Sequence, residues 1–139
     1  MPTQKHNVVV VDDDMSMNQA IKRLLLAGGF TVQTFPSAEA LLESHAAENA
    51  ECLVLDMRLP GMSGFELQER LKQDGAERPV IFITAHDLPS SQEQARKARA
   101  VAYLPKPFLG LNLMTAVADA LTLFRETPAT ACSARGNLA

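Results

Sequence analysis

Cysteine is scarce: the chain has two in 139 residues, Cys52 inside an apolar run and Cys132 in a polar tail. That is no disulfide framework for a chain of this size, and a reducing, cytoplasmic setting is the expectation. Basic blocks longer than a few residues are absent, and 13 basic against 16 acidic side chains leave a formal net charge of -3. A nucleic-acid footprint and a polybasic membrane patch are thereby excluded. Long apolar runs are missing too. Residues 1–7 lead only into Val8-Val9-Val10-Val11 before three carboxylates intervene, so neither a signal peptide nor a membrane span is expected. No histidine or cysteine falls at metal-ligand spacing, which removes zinc. No internal repeat or linker is visible, and 47% hydrophobic residues suit one domain that buries roughly two-thirds of its unfolded surface.

What is present is an alternation of short apolar runs and helical periods. The valines at 8–11 carry no polar alternation and predict a strand covered on both faces. Ala20, Ile21, Leu24 and Leu25, with Met17, predict a helix over 16–27 that Gly28-Gly29 stops. A less apolar edge strand follows at 30–35. Ser37 then caps a helix with Glu39 in its first turn, continued by Leu41, Leu42 and His45 to Ala47. The third strand, 52–55, ends at Asp56, and the loop 57–63 with Pro60 and Gly61 leads past Gly64 into a helix over 65–73. The fourth strand is 80–83. Ser90 or Ser91 caps the next, polar helix, which runs to Arg99. A fifth strand at 101–104 is broken by Pro105-Lys106-Pro107. Leu113, Met114, Val117, Leu121 and Phe124 then mark a last helix over 109–125. Residues 127–139 are small, polar and aperiodic, and disorder is expected there.

Short buried strands joined by helices connect as right-handed crossovers, which gives an open parallel α/β sheet with helices on both faces. Such sheets hold ligands beyond the carboxyl ends of their strands. Asp12, Asp13, Asp56, Thr84 and Lys106 all follow apolar runs, so all belong to that edge. Carboxylates gathered there repel each other unless a cation is present, and an oxygen-only set suits magnesium beside phosphate oxygens. An aspartate can attack phosphorus. Lys106 and Thr84 would supply a positive charge and a hydroxyl donor for the added oxygens.

The ordered motifs are Asp12-Asp13 after the valine strand, 56–64 from Asp56 to Gly64, Thr84-Ala85, and 103–108 from Tyr103 to Phe108. Together they resemble the receiver domain of two-component response regulators over 7–125, with 126–139 as a tail. Residues 56–68 and 79–86 are most similar to the nitrogen-fixation and nodulation (FixJ-like) regulator subfamily. The resemblance implies the CheY-like, flavodoxin-like sheet of five strands in the order 2-1-3-4-5. It implies Asp56 as the residue phosphorylated by a sensor histidine kinase or a histidine phosphotransfer protein. Magnesium, or manganese in its place, would be held by Asp13, Asp56 and the backbone carbonyl of Arg58, with Asp12 acting through water. Thr84 matches the hydroxyl that moves toward the phosphoryl group, Lys106 the lysine that pairs with it, and Tyr103 the aromatic that then turns inward. The Lys106-Pro107 peptide is cis in the family. Arg58 and His86 flank the route of water and would influence the phosphoryl lifetime.

The same resemblance implies a signalling face on helix 4, strand 5 and helix 5, and a phosphorylation-dependent homodimer. It implies no direct nucleic-acid or membrane contact by this domain, and no catalysis beyond its own phosphorylation and dephosphorylation. One departure stands out. Arg99 replaces a family glycine, so either Arg99 is strained or the preceding helix ends differently.

Blander and rival readings compete. An isolated acid after a strand is usually a solvated loop residue, Thr84 alone is a helix cap, Tyr103 a packed aromatic, and Asp14 a helix-entry acid. Asp12-x-Asp14-x-Ser16 resembles the aspartate-nucleophile phosphatases of the haloacid-dehalogenase type, but their second acid pair is absent from 108–118. A receiver-shaped module independent of phosphate is the other alternative. Nothing after Phe124 has the length or period of a helix-turn-helix effector, which leaves a stand-alone receiver, the favoured form, or a fragment of a longer regulator.

Overall fold

The computed structural model describes residues 6–75 and 77–126, with the side chains of 123–126 outside the description. Cys132, the expected tail and the side chain of Phe124 therefore lie outside the described residues.

Five strands, β1 (Asn7–Val11), β2 (Thr31–Phe35), β3 (Cys52–Asp56), β4 (Val80–Thr84) and β5 (Ala102–Pro105), alternate with helices α1 (Met15–Ala27), α2 (Ala38–Ser44), α3 (Gly64–Gln73), α4 (Pro89–Lys97) and α5 (Gly110–Glu126). The sheet is parallel throughout, in the order β2-β1-β3-β4-β5. The unbroken apolar runs have a direct cause in this architecture. Val9, Val11, Leu53, Leu55 and Phe82 face Ala38, Leu41, Leu67, Leu71 and Ala95 of α2, α3 and α4. The intervening Val8, Val10, Val54, Ile81 and Ile83 face Ile21, Leu25, Leu113, Val117 and Leu121 of α1 and α5. Period-two alternation thus buries both faces, and each fully buried aliphatic side chain contributes about 2 kcal/mol.

Two local expectations need correction. The second helix stops at Ser44, short of Ala47, because His45 adopts φ 61 in the left-handed region. The Ser44 hydroxyl donates to the Leu41 carbonyl at 2.7 Å and accepts from the Ala46 amide at 3.0 Å, turning the chain into a short 3₁₀ segment, Ala46–Asn49. Neither Ser90 nor Ser91 caps α4: the cap is Leu88, with no side-chain bond, and Pro89 occupies the first turn, where a missing N–H costs nothing. Ser91 instead donates to the His86 carbonyl at 3.2 Å.

Arg99 resolves its own alternative. It has φ 59. The Arg99 amide donates to the Arg96 carbonyl at 3.0 Å and the Ala100 amide to the Ala95 carbonyl at 3.1 Å, the paired bonds of a Schellman helix end. Gly29, at φ 93, occupies the same place after α1, where the Gly29 and Phe30 amides bond back to Leu26 and Leu25. One helix end uses the residue the backbone prefers, and the other forces an arginine into it. Among the described residues no helix is long and apolar enough to cross a membrane.

Candidate functional site

The carboxyl ends of the strands bring the predicted acids and the lysine together. Asp12 follows β1 and is fully buried; Asp56 ends β3 and is 5% exposed. Lys106, just past β5, donates from Nζ to Asp12 Oδ2 at 2.7 Å and to Asp56 Oδ2 at 3.1 Å. The other oxygen of each carboxylate is also engaged. Asp12 Oδ1 accepts from the Asp14 amide at 2.9 Å, and Asp56 Oδ1 from the Arg58 amide at 3.0 Å. Asp13 is exposed, and one oxygen of each of Asp12, Asp13 and Asp56 lies within 4.8 Å of the others.

Three carboxylates therefore face one ammonium. Burial, and then the charge of Asp12, push the Asp56 carboxyl above its usual range, against the opposing pull of the Arg58 amide and Lys106. For Lys106, burial works to lower the ammonium, but the hydrogen bond to Asp12 and the charge of Asp56 outweigh it, and the net shift is upward. An all-oxygen donor set with surplus negative charge and one exposed member fits a hard divalent cation.

The loop behind Asp56 is held from several sides. Ser63 and Glu66 form a reciprocal capping box at the start of α3. Gly61 has φ 75, and the next amide, Met62, donates to Glu39 Oε2 of α2 at 2.9 Å, a bond that lowers the Glu39 carboxyl. Gly64 packs so closely that a Cβ there would lie 2.1 Å from the Asp56 carbonyl oxygen.

The remaining sequence-predicted residues lie nearby but are engaged elsewhere. Thr84 is fully buried. Its hydroxyl accepts from the His86 amide at 3.0 Å and donates to the His86 carbonyl at 3.3 Å, closing the turn after β4. Tyr103 donates its phenol to Asp87 Oδ1 at 2.9 Å, and the same oxygen accepts from Gln92 Nε2 at 2.9 Å. Burial and then Asp87 raise the Tyr103 phenol; Gln92 and then Tyr103 lower the Asp87 carboxyl. The side chains of Arg58 and His86 are exposed. The Lys106-Pro107 peptide is cis. Asp14, read as a helix-entry acid, caps α1 by accepting from the Ser16 and Met17 amides. Cys52 is walled in, and burial pushes its thiol up to about 12.

Sequence reasoning passed over two buried polar side chains. Asn18 of α1 is 3% exposed, and its Nδ2 donates to the carbonyls of Asp12 at 2.7 Å and Phe35 at 3.2 Å. Gln68 of α3, 6% exposed, donates to the Ala98 carbonyl at 3.1 Å. A signal existed for Asn18. It shares the helical stripe of Ile21 and Leu25, and a polar residue on an apolar stripe must find a partner.

Similarity to known proteins follows the same residues. A family model described as the response regulator receiver domain matches residues 8–118. Nodulation protein W of Bradyrhizobium diazoefficiens is 42% identical over 114 residues, covering 81% of this chain and 50% of that protein. The response regulator protein TmoT of Ectopseudomonas mendocina is 37% identical over 124 residues, covering 88% of this chain and 56% of that protein. The solved structure of the response regulator StyR is 45% identical with a TM-score of 0.83, covering 97% of this chain and 68% of that one. The chain spans about half the length of the curated relatives it matches.

Proposed function

This chain belongs to the family of response regulator receiver domains, and from that premise we propose that Asp56 accepts a phosphoryl group from a histidine kinase or a histidine phosphotransfer protein. The observation that carries the proposal is the bridge from Lys106 to both Asp12 and Asp56, with Asp13 beside them. As a receiver domain the chain is no enzyme in the usual sense beyond its own phosphorylation and dephosphorylation.

The proposed chemistry starts with Asp56. Its carboxylate attacks phosphorus and the donor nitrogen leaves. Asp13, Asp56 and the Arg58 carbonyl, with Asp12 through water, would hold magnesium, or manganese, which neutralises charge on the carboxylates and phosphoryl oxygens. Lys106 already spans two anions and can redirect its ammonium to a phosphoryl oxygen. The Thr84 hydroxyl must give up its bond with His86 to donate to another, and Tyr103 must leave Asp87 for its ring to turn inward. Arg58 and His86 would tune how readily water reaches the phosphoryl group.

We take residues 7–125 as the receiver unit and place it with the nitrogen-fixation and nodulation regulators. The 56–68 and 79–86 stretches and the similarity to Nodulation protein W support that placement, while TmoT matches at 37%. Output through α4, β5 and α5, with homodimerisation on that face, and a cytoplasmic setting complete the reading.

Incubation with a small phosphodonor and magnesium, followed by intact mass and peptide mapping, tests it. One phosphoryl group on Asp56, lost in Asp56→Asn, is expected. Modification of Asp12 would favour a phosphatase, and none at all would favour a phosphate-independent module.

A further inference from the structure

Asp13 poses a physical question: what holds it? It is exposed, and among the described residues its carboxylate makes no hydrogen bond, yet one of its oxygens stands within 4.8 Å of oxygens of Asp12 and Asp56. Its position must be inherited from its neighbours in the chain. On the far side, the Asp14 amide is tied to Asp12 Oδ1 at 2.9 Å. On the near side, the Asp12 carbonyl is tied to Asn18 Nδ2 at 2.7 Å. The peptide unit is planar, so fixing the Asp12 carbonyl oxygen also fixes where the nitrogen and Cα of Asp13 lie.

Asn18 suits this task for three reasons. It is 3% exposed, so no water competes for its amide. The same Nδ2 also donates to the Phe35 carbonyl at 3.2 Å, which already accepts from the Asp12 amide at 3.2 Å. The side chain therefore staples the ends of β1 and β2 past the last rung of their ladder, and Asp12 is held at its amide, its carbonyl and both carboxylate oxygens. Finally, Asn18 Oδ1 is buried with no hydrogen-bond partner. Retaining an unpaired acceptor on an otherwise apolar stripe costs stability, and the bonds made by the amide nitrogen are what offset it.

We infer that Asn18 is a positioning residue for the acid pair, acting through the Asp12 carbonyl to set the Asp13 carboxylate for a divalent cation. The inference rests on the receiver reading of the site. Groups behind a metal site that orient its ligands govern affinity, typically by a factor of 10 to 100. Without the Asn18 amide, the Asp12 carbonyl loses its bond at 2.7 Å, the Asp12–Asp13 peptide is held less tightly, and the cation loses a preset ligand.

Titration of magnesium by calorimetry into wild type, Asn18→Ala and Ile21→Val tests this. Ile21 lies on the same stripe of α1, is 2% exposed and packs only in the apolar cluster, so its truncation reports the cost of a cavity without touching the acids. Asn18→Ala is expected to bind magnesium about tenfold more weakly. Its phosphorylation by a small donor should need correspondingly more magnesium for half-maximal rate while approaching the wild-type rate at saturation. Ile21→Val should lose stability and leave the magnesium curve in place. An unshifted curve for folded Asn18→Ala, or the same shift in both variants, overturns the inference. If Asn18→Ala does not fold, Asn18→Leu, which fills the apolar stripe without an amide, replaces it, and wild-type magnesium affinity is then the overturning result. Wild type that binds no magnesium and takes no phosphoryl group would bring down the receiver reading itself, a distinguishable failure.

Discussion

Replacing Gly64 by alanine should damage the site more than any exposed substitution near it. The new Cβ would stand 2.1 Å from the Asp56 carbonyl oxygen, 2.9 Å from its carbonyl carbon and 3.2 Å from Met57 Cα. Ordinary contact begins at 3.4 Å, so a gap of about 1.3 Å must open. All three obstacles are backbone, and no flexible side chain can yield. The φ of Gly64 is outside the left-handed region, so the steric contact alone carries the cost. Overpacking a tight contact costs about 1–3 kcal/mol, and the upper end applies because α3 must move as a body and strain the Ser63–Glu66 box. The better helix propensity of alanine returns at most about 1 kcal/mol. A net loss of about 2 kcal/mol is expected, a large fraction of a typical stability of about 5–15 kcal/mol. Urea denaturation followed by circular dichroism measures it. With a slope of about 2 kcal/mol/M the midpoint should fall by about 1 M. Phosphorylation at Asp56 should slow further than the folded fraction explains, since the displaced strand end carries the proposed phosphoacceptor. A midpoint within about 0.2 M of wild type, together with an unchanged rate, would show that α3 yields freely and refute the argument.

Asp56→Asn should be more stable than wild type at neutral pH. The Asp56 carboxyl is raised in the folded protein, so its contribution is fully present below the unfolded value and lost as pH rises through the folded one; asparagine avoids that loss. Thermal melts at two pH values should show the gap closing as pH falls toward about 4, and a wild type that is the more stable at neutral pH would contradict it. Arg99→Gly relieves φ 59: a left-handed residue costs about 1–2 kcal/mol and glycine gives back about 0.5–1 in chain entropy. A melting temperature a few degrees higher is expected, and a lower one would argue against strain. Asp87→Ala should lower the Tyr103 phenol toward its ordinary value. The chain has one tyrosine and no tryptophan, so an alkaline absorbance titration reads this group alone, and an unmoved midpoint would deny the bond to Asp87.

The sheet was legible because burial on two faces leaves its mark on every position of a strand: Val8 to Val11, Leu53 to Leu55 and Ile81 to Ile83 need no tertiary knowledge to be read. Their carboxyl ends then located Asp12, Asp56 and Lys106. The helix ends were harder. Ser91 has the chemistry of a cap, but Pro89 in the first turn and the carbonyl of His86 decide its role. His45 looked like a continuation of α2 because its spacing is helical, and the break shows only in its left-handed φ and the Ser44 hydroxyl bonds. Asn18 and Gln68 were hidden for a different reason. Each serves a carbonyl on another element, and no local pattern names that partner. The bonds of Thr84 and Tyr103 were equally unreadable, since no local pattern names His86 or Asp87 as their partners.

The bond from Lys106 to Asp12 joins positions 94 apart in the chain, and that to Asp56 positions 50 apart. Loop closure over such spans is favourable only after the intervening strands have formed. A nascent or nicked chain that has made β1 to β4 but not the turn after β5 holds two buried acids without their cation. The charge cluster thus penalises the incomplete protein and is relieved once the turn after β5 brings Lys106 to both acids. A site that holds the two carboxylates side by side therefore needs the fifth strand in place.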